Sequence, residues 1–566
     1  MRSITRKQLL LTFVLLLLII LFLSAGLWFR KNPLFTGQGF HWGPAPDIPV
    51  STYTPYEAVV APVAGPTAVP SSVEPASVMS RFYTTERATV FTFSGLGNEQ
   101  ELQSVLEALA RTNSRATFFV TAAEMEEYPV QIEEISLAGH SLGIAVLNTA
   151  GTDASSLQRT MQAQAEALRY QYQAYYEIFV RPSTRSGSDA LLQAAAEGGF
   201  RVLSEMKEAV PEKVSRLTDA QEVLAAILSE NEGMLQRGEI VHFQMGLFQY
   251  SDTVLGELVE LMATEKCCYP VVSADELAER TELLYQYPLP EDLILPSVKD
   301  KIYPGHLAGM SADEIFAAIR SSYIGIDWVD STSFLPGFTD YEARHLDKTG
   351  IIKNDQNYVF LTFDDWGTDG TVDKLLSVLD KHNATATFFV RSEHVPNNPN
   401  LLRSIAAAGH TIGAHTHKHM PLSNELYSIY YTELDEDQRQ ALEEDIVVCY
   451  NTMQSVIGDM VDADGKPSLS LLFRQPTLAV GRKGLETVLD CGYTHAIAGY
   501  YTSMDYKAES AEALAAELRR HIVPGAILIM HFSDSAEYTA EALDILLTEC
   551  ENNGRGYRFV GLNKVL

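Results

Sequence analysis

Two groups of metal-binding side chains stand out in the C-terminal half of the chain. Asp364 and Asp365 are adjacent and follow an apolar run, and His415, His417 and His419 fall within five positions of a sequence that has only 14 histidines. Two imidazoles four residues apart project to one side of a helical turn, as zinc-binding pairs require. Two such histidines and one carboxylate supply three ligands and leave positions open for water and substrate. The pattern predicts a catalytic metal site.

Two later segments add residues that orient charges or transfer protons. Arg474 lies in the string Phe-Arg-Gln-Pro, and His531 ends an apolar run that begins at Gly525. Apolar runs of this kind are typical of buried strands, and active-site residues of parallel α/β folds lie at the C-terminal ends of such strands. Each segment alone is weak evidence, but their order along one chain is informative.

In this order the segments resemble the motifs of the polysaccharide deacetylase family, the carbohydrate esterase type that includes peptidoglycan and chitin N-deacetylases. The resemblance covers about 350–566 with its motifs and about 85–280 without them. It implies a general base, three metal ligands, an arginine that orients the base, a general acid with a tuning aspartate, a backbone oxyanion donor and two pocket aromatics. The base is Asp364, and the metal ligands are Asp365, His415 and His419. Arg474 orients the base, and His531 is the acid that Asp505 tunes. The backbone of Thr477 is the oxyanion donor, and the pocket aromatics are Trp366 and Tyr506.

The chain departs from the family pattern at three places. Thr477 and Leu478 stand where the family usually has an aromatic residue and glycine, and Phe532 replaces a commoner acidic residue. The resemblance implies that position 477 contributes a backbone N–H to the oxyanion site, so the substitution need not abolish catalysis, but it removes a stacking surface for a sugar ring. The metal is expected to be Zn²⁺, with Co²⁺, Ni²⁺ or Fe²⁺ as alternatives, because two histidines and one aspartate accept all four ions.

The elements that must position these residues occur twice. Residues 92–149 align without a gap to 362–419, and about 17 of the 58 positions are identical. Each copy reads as apolar strand, helix, strand, helix, strand, which predicts βαβ units around a parallel sheet. We therefore expect two tandem distorted (β/α) barrels of the polysaccharide deacetylase type, at 85–280 and 350–566. The segment 281–349 is expected to be a structured connector that packs on the second barrel.

The first copy lacks the predicted chemistry. The alignment places other residue types at all six catalytic or metal positions, namely Ser94, Gly95, Ala145, Thr149, Val180 and Gln244. We therefore expect 85–280 to be non-catalytic. It is either a spacer or a platform for a dimer or another protein, or its former cleft still binds glycan. Ala145 and Val180 predict an apolar cleft and favour the first alternative.

The N-terminal segment predicts a membrane anchor. Residues 9–29 contain no charge, and at about 1.5 Å per residue they span roughly 31 Å as a helix. Arg2, Arg6 and Lys7 precede this run, which favours the N-terminus inside and the rest of the chain outside. We expect 1–31 to be a single-pass anchor in a bacterial cytoplasmic membrane and 32–84, rich in Pro, Val and Ser, to be an extracellular tether. A cleaved signal peptide is the alternative.

The net charge of the chain argues against one class of binding partner. The chain has 42 Lys+Arg against 73 Asp+Glu, a formal net charge of −31, which disfavours nucleic acid as a partner. The resemblance to polysaccharide deacetylases implies removal of N-acetyl groups from a GlcNAc-containing envelope polysaccharide, peptidoglycan first and poly-GlcNAc or chitin-like polymers next. The alternatives are an O-acetyl esterase acting on acetylated glycans and a non-catalytic protein that binds the cell wall.

Overall fold

The computed structural model describes residues 73–146, 151–228, 234–325, 335–427 and 430–566. These ranges contain no helix long and apolar enough to cross a membrane. The predicted anchor, most of the predicted tether and Thr149 lie outside the described residues. Residues 71–566 form one compact unit.

The first domain is built on a nine-stranded sheet whose strands are all parallel. The strands are β1 (Val78–Met79), β2 (Thr89–Ser94), β3 (Thr117–Val120), β4 (Ser141–Val146), β5 (Val180–Pro182), β6 (Val202–Leu203), β7 (Lys207–Glu208), β8 (Ile240–Gln244) and β9 (Val271–Val272). Their order is β1-β6-β5-β4-β3-β2-β8-β7, and β9 also pairs with β2. The helices are Glu99–Arg111, Ala122–Glu127, Pro129–Leu137, Ala154–Tyr172, Asp189–Gly198, Ala220–Ile227, Val254–Leu261 and Ala274–Glu279.

The second domain repeats this plan. Its strands are β10 (Tyr323–Ile324), β11 (Tyr358–Asp365), β12 (Thr387–Val390), β13 (Thr411–Ala414), the antiparallel pair β14 (Asn424–Tyr427) and β15 (Tyr430–Thr432), β16 (Leu469–Phe473), β17 (His495–Ile497), β18 (Tyr501–Thr502), β19 (Ile527–His531) and β20 (Arg558–Phe559). The main sheet has the order β10-β17-β16-β13-β12-β11-β19-β18, with β20 paired to β11. The helices are Ala312–Ser322, Asp340–His345, Asp369–Lys381, Pro399–Ala407, Glu436–Ile457, Arg482–Asp490, Ala511–Arg519 and Thr539–Asn552.

The two sheets therefore confirm the prediction of two tandem α/β domains with curled parallel sheets. Their registers also agree, because Ser94 lies opposite Gln244 in the first sheet as Asp364 lies opposite His531 in the second. The connector contributes to the second sheet, since β10 comes from it and pairs with β17. In the same way β1 precedes the first domain and pairs with β6.

Each sheet curls around a small apolar interior. Alternate residues of β11 enter different clusters: Val359, Leu361 and Phe363 pack with the surrounding helices, whereas Tyr358 and Phe360 pack inside the curl. Because side chains alternate along a strand, the inner face continues through Thr362 to Asp364 at the C-terminal end. The site therefore begins where the apolar interior ends.

Candidate active site

Asp364 and Arg474 form a buried ion pair on this inner face. Arg474 Nη1 donates to both carboxylate oxygens of Asp364, at 2.9 and 3.1 Å, and Nη2 donates to Thr362 Oγ1 at 3.0 Å. The guanidinium also stacks on the Phe389 ring, 4.4 Å from its centroid. Burial raises the pKa of Asp364, and the charge of Arg474 offsets part of that rise. The pair places an oriented carboxylate with raised proton affinity at the base of the site.

Asp365 turns in a different direction from its neighbour. Its φ is +81°, a left-handed conformation that directs its carboxylate toward two histidines. Asp365 Oδ1 lies 3.6 Å from His415 Nε2 and 3.6 Å from His419 Nε2. The two adjacent carboxylates thus meet different partners, an arginine for Asp364 and two imidazoles for Asp365.

The segment that carries these histidines is an irregular turn after β13. The expectation that a helical turn aligns them is wrong, because both Thr416 and His419 have positive φ, 59° and 61°. The Asp445 carboxylate accepts hydrogen bonds from the backbone N–H groups of His417, at 2.6 Å, and Lys418, at 3.0 Å. A left-handed turn secured from a neighbouring helix, rather than helical periodicity, brings the imidazoles together.

The donor set fits a divalent metal ion. Atoms bonded to one zinc ion at about 2.0–2.2 Å must lie within about 4.3 Å of each other, and the 3.6 Å separations from Asp365 meet that condition. His415 Nδ1 is hydrogen-bonded to the Arg474 carbonyl at 2.9 Å, which leaves the Nε2 lone pair free for a metal. Among the residues described, Asp365, His415 and His419 form the one cluster of three such ligands, with their donor atoms all within 4.8 Å of one another.

His531 and Asp505 form a second polar pair on the opposite side of Asp364. His531 Nδ1 lies 2.7 Å from Asp505 Oδ1, and the His531 backbone N–H donates to Asp505 Oδ2 at 2.8 Å. Thr539 Oγ1 also donates to that oxygen, at 2.6 Å. Burial opposes a charge on the imidazole, but Asp505 outweighs it and raises the pKa of His531.

The predicted aromatic residues occupy different environments. Tyr506 is exposed and meets the His531 ring edge to face at 5.1 Å. Trp366 is partly buried and packs edge to face on Phe532, 6.2 Å between centroids. Phe532 itself is buried and packs on Phe388 at 5.2 Å. Tyr506 therefore offers its ring beside His531, whereas Trp366 contacts the hydrophobic core.

Backbone strain is concentrated around the site. Thr477 and Leu478 follow the Arg474 strand end with φ of 59° and 62°, and Thr477 is exposed. Left-handed conformations disfavour side-chain-bearing residues by roughly 1–2 kcal/mol each. The positive-φ residues other than glycine that lie in the segments of the site are Asp365, Thr416, His419, Thr477, Leu478 and Met504. Such clustering is typical of functional sites, where the surrounding structure maintains an unfavourable backbone.

Both domains resemble a known protein family in sequence. Residues 83–203 and 352–496 match the sequence profile described as polysaccharide deacetylase. Both domains match the polysaccharide deacetylase family. The chain is 27% identical over 236 residues to a peptidoglycan-N-acetylglucosamine deacetylase of Bacillus cereus, a match covering 39% of this chain and 96% of that protein. It is 26% identical to the peptidoglycan-N-acetylmuramic acid deacetylase PdaA of Bacillus subtilis, covering 40% and 76% of the two chains.

A solved structure is also similar to part of the chain. It is a family 4 acetyl xylan esterase from Clostridium thermocellum in complex with a cobalt ion. The sequence identity is 27% and the TM-score is 0.30, over 37% of this chain and 89% of that one.

In the first domain, the sheet register corrects one position of the sequence alignment. Ile144 of β4 pairs with Val180, whereas Ala414, its counterpart in β13, pairs with Phe473. Val180 therefore corresponds to Phe473, and Arg181 follows it as Arg474 follows Phe473. The arginine is retained, so the expectation that Val180 replaces it is wrong by one residue.

The retained arginine has a new partner. Ser94 leaves no carboxylate for it, and Arg181 Nη1 instead donates to Glu205 at 2.5 Å. His242 occupies the vacated space, with its ring nitrogens 3.0 Å from Ser94 Oγ and 3.1 Å from Thr92 Oγ1. The prediction of an apolar cleft in the first domain is therefore wrong. The former site of the first domain is filled by polar side chains that bind one another.

Two residues of the second site were missed by sequence reasoning. Asp445 secures the histidine turn and Thr539 donates to Asp505. The sequence pattern could have pointed to Asp445, because it lies on the apolar stripe formed by Leu442, Ile446 and Cys449 of one helix. A carboxylate on a buried stripe needs partners, which predicts a structural or functional contact.

Proposed function

We propose that the second domain is a metal-dependent deacetylase that removes N-acetyl groups from a GlcNAc-containing envelope polysaccharide. One observation carries the proposal. Asp364 lies opposite His531 in the register of β11 and β19, and the cluster of Asp365, His415 and His419 lies beside Asp364. A base, an acid and a metal-binding set then face one small volume, as amide hydrolysis requires.

In this proposal Asp364 accepts the proton of the attacking water. Arg474 keeps its carboxylate aimed, and the raised pKa of Asp364 makes it a better proton acceptor than an exposed aspartate. Arg474 is fully buried and bound to Thr362 as well, so the carboxylate has little freedom to rotate toward the histidines. This leaves Asp365 as the carboxylate that binds the metal.

His531 donates a proton to the departing sugar nitrogen. Its Nδ1–H points to Asp505, so the opposite ring nitrogen, Nε2, is left to face the substrate. The raised pKa favours the protonated imidazolium that an acid needs before the reaction. Tyr506 limits this side of the site, and the Thr477 backbone N–H is assigned to the oxyanion.

Asp365, His415 and His419 would hold the metal, which would activate the water and polarise the acetyl carbonyl. Zn²⁺ is the ion we expect, with Co²⁺, Ni²⁺ or Fe²⁺ as alternatives. Peptidoglycan is the first substrate because the two Bacillus relatives named above are peptidoglycan deacetylases and because 1–31 predicts an anchor that places the domain outside the membrane.

The test is acetate release by the full-length protein. Peptidoglycan, chitooligomers and acetylxylan are compared before and after chelation and after zinc is restored. We expect release from the GlcNAc-containing substrates, its loss on chelation and its return with zinc. Release from acetylxylan alone would assign an O-acetyl esterase instead, and no release from any substrate would assign a protein that only binds glycan.

A further inference from the structure

The two deacetylase domains meet through a buried polar interface. On the first domain it is formed by segments that precede strands, such as Arg81–Arg87 before β2 and Arg237 before β8. On the second domain it is formed by the beginnings of the helices Asp369–Lys381 and Pro399–Ala407, which follow β11 and β12. The N-terminal strand ends of one sheet thus contact the catalytic rim of the other.

Arg237 is the central residue of this interface. Its Nε donates to Asp369 Oδ1 at 3.0 Å, and Nη2 donates to Asp373 Oδ1 at 2.7 Å. The remaining donors reach the Thr85 carbonyl at 2.9 Å, Ser404 Oγ at 2.5 Å and the Tyr269 hydroxyl at 3.1 Å. Arg237 and Asp369 are each only 2% exposed. A guanidinium of the first domain therefore forms ion pairs with two carboxylates of the second.

Asn400 adds a second set of contacts across the interface. Its Nδ2 donates to the carbonyls of Phe82 and Arg237, both at 2.8 Å. Its Oδ1 accepts from the Thr84 N–H at 3.0 Å and from the Tyr285 hydroxyl at 2.9 Å. Its side chain thus uses all of its hydrogen-bonding capacity, three contacts reaching the first domain and its leading segment and one reaching Tyr285 of the connector, which fixes the relative position of the two surfaces.

The same residues connect directly to the candidate active site. Asp369 begins its helix only four positions after Asp365. Asn398 donates to Asp369 Oδ2 at 2.6 Å, and so joins the segment after β11 to the segment after β12. In that second segment the Arg391 N–H donates to the Asp365 carbonyl at 3.1 Å. Arg237 is therefore connected, through Asp369 and the segment after β12, to the backbone of Asp365, which has a left-handed conformation.

Removing Arg237 would leave the carboxylates of Asp369 and Asp373 without the guanidinium that pairs with both. Asp369 and Asp373 are one helical turn apart, and like charges at that spacing repel. A buried carboxylate without its partner must gain water or move, and breaking such a pair is strongly destabilising. We expect such a movement to displace the first turn of the helix Asp369–Lys381 and the Asp364-Asp365 segment that precedes it.

We propose that the first domain is a positioning element for the second, and that Arg237 acts through Asp369 and Asp373 to hold Asp365 in its ligand geometry. The inference rests on the proposed function for its catalytic readout and gives the degenerate domain a role that needs no ligand of its own. Arg237 touches neither substrate nor metal and is a positioning residue.

The contact itself is tested by cross-linking. A Cβ added at Gly370 would lie 3.4 Å from the Sγ of Cys268 in the first domain, within reach of a disulfide. We expect Gly370→Cys to form this bond when oxidised glutathione accepts the two electrons and two protons, as read by peptide mass before and after reduction. The control carries Cys268→Ser as well. Absence of the cross-link in the folded variant would overturn the interface.

The positioning role is tested with Arg237→Met in the full-length protein. We expect kcat to fall at least tenfold with KM within twofold, and the zinc dissociation constant to rise about tenfold. Arg87→Met is the matched control, because Arg87 also pairs with Asp373, at 3.5 Å, but is half exposed, and it should change either value less than twofold. Oxidation of Arg237→Met combined with Gly370→Cys should restore zinc affinity.

Two further results keep the proposal separate from its premises. If Arg237→Met does not fold, the triple variant with Asp369→Asn and Asp373→Asn removes the uncompensated charges, and it should fold yet bind zinc about tenfold more weakly. Wild-type zinc affinity in either folded variant would overturn the positioning role. If the unaltered protein releases no acetate at all, the proposed function fails, while zinc affinity and cross-linking still decide this inference.

Discussion

His531 is held by Asp505 at two points, through its ring nitrogen Nδ1 at 2.7 Å and through its backbone N–H at 2.8 Å. One carboxylate thus fixes the position of the strand end and the orientation of the imidazole. Because Asp505 is almost fully buried, its charge acts on the ring with little screening by water.

The first prediction concerns pH. Asp505 raises the pKa of His531, so the acid stays protonated to higher pH than an ordinary histidine. In Asp505→Asn the alkaline limb of the kcat profile should move to lower pH. Asp534→Asn is the control, because it removes a nearby carboxylate that contacts Thr368 and Thr371 instead. An unmoved limb in Asp505→Asn would remove His531 as the acid.

The second prediction concerns metal affinity. Asp445 satisfies two backbone N–H groups of the histidine turn, so Asp445→Ala should loosen that turn. We expect the zinc dissociation constant to rise about 10–100-fold, as measured by competition with a chromophoric chelator. Glu444→Ala changes the exposed neighbour on the same helix and should leave the dissociation constant unaltered. Equal effects in both variants would contradict this account.

The third prediction uses a pair of equivalent glycines. A Cβ at Gly413 would lie 2.7 Å from the Phe389 ring, and one at Gly143 would lie 2.6 Å from the Phe119 ring. Both alanine variants should lose about 1–3 kcal/mol of unfolding free energy in denaturant titrations. Only Gly413→Ala displaces the ring under Arg474, so only it should lower kcat. A similar loss of kcat in Gly143→Ala would argue against that cause.

The fourth prediction concerns acid stability of the first domain. Burial opposes the charge of Glu205, but Arg181 and Arg185 outweigh it and lower the pKa of Glu205 to about 2. A lowered folded-state pKa contributes stability above the unfolded value, about 4.3, and loses it as pH falls toward 2. Between pH 7 and pH 3 the protein should lose about 2 kcal/mol that Glu205→Gln does not lose. Parallel loss in both would contradict the shift.

Sequence reasoning anticipated the two parallel sheets and which side chains lie together at the end of the second sheet, because strand ends determine both. A gapless repeat fixes equivalent strands, and parallel strands bring the residues at their C-terminal ends together. Asp364, Arg474 and His531 therefore meet although they are far apart in sequence. The family match covers Asp364 and Arg474 but ends before His531.

The remaining features depend on contacts that spacing cannot reveal. The histidine turn is stabilised by Asp445, which comes from a helix about thirty residues later. Arg181 was misaligned because the two copies differ in length before β5 and β16, and only strand register resolves the shift. The role of Arg237 depends on docking between domains, which no periodicity within either domain encodes.

The central claim is that the two adjacent aspartates have separate tasks, and zinc binding by two matched variants tests it most directly. The full-length protein with Asp364→Asn should bind one zinc ion per chain with nearly unaltered affinity, yet release acetate at least a hundredfold more slowly. Asp365→Asn should lose zinc. If Asp364→Asn loses the metal while Asp365→Asn retains it, the assignment of base and ligand is contradicted.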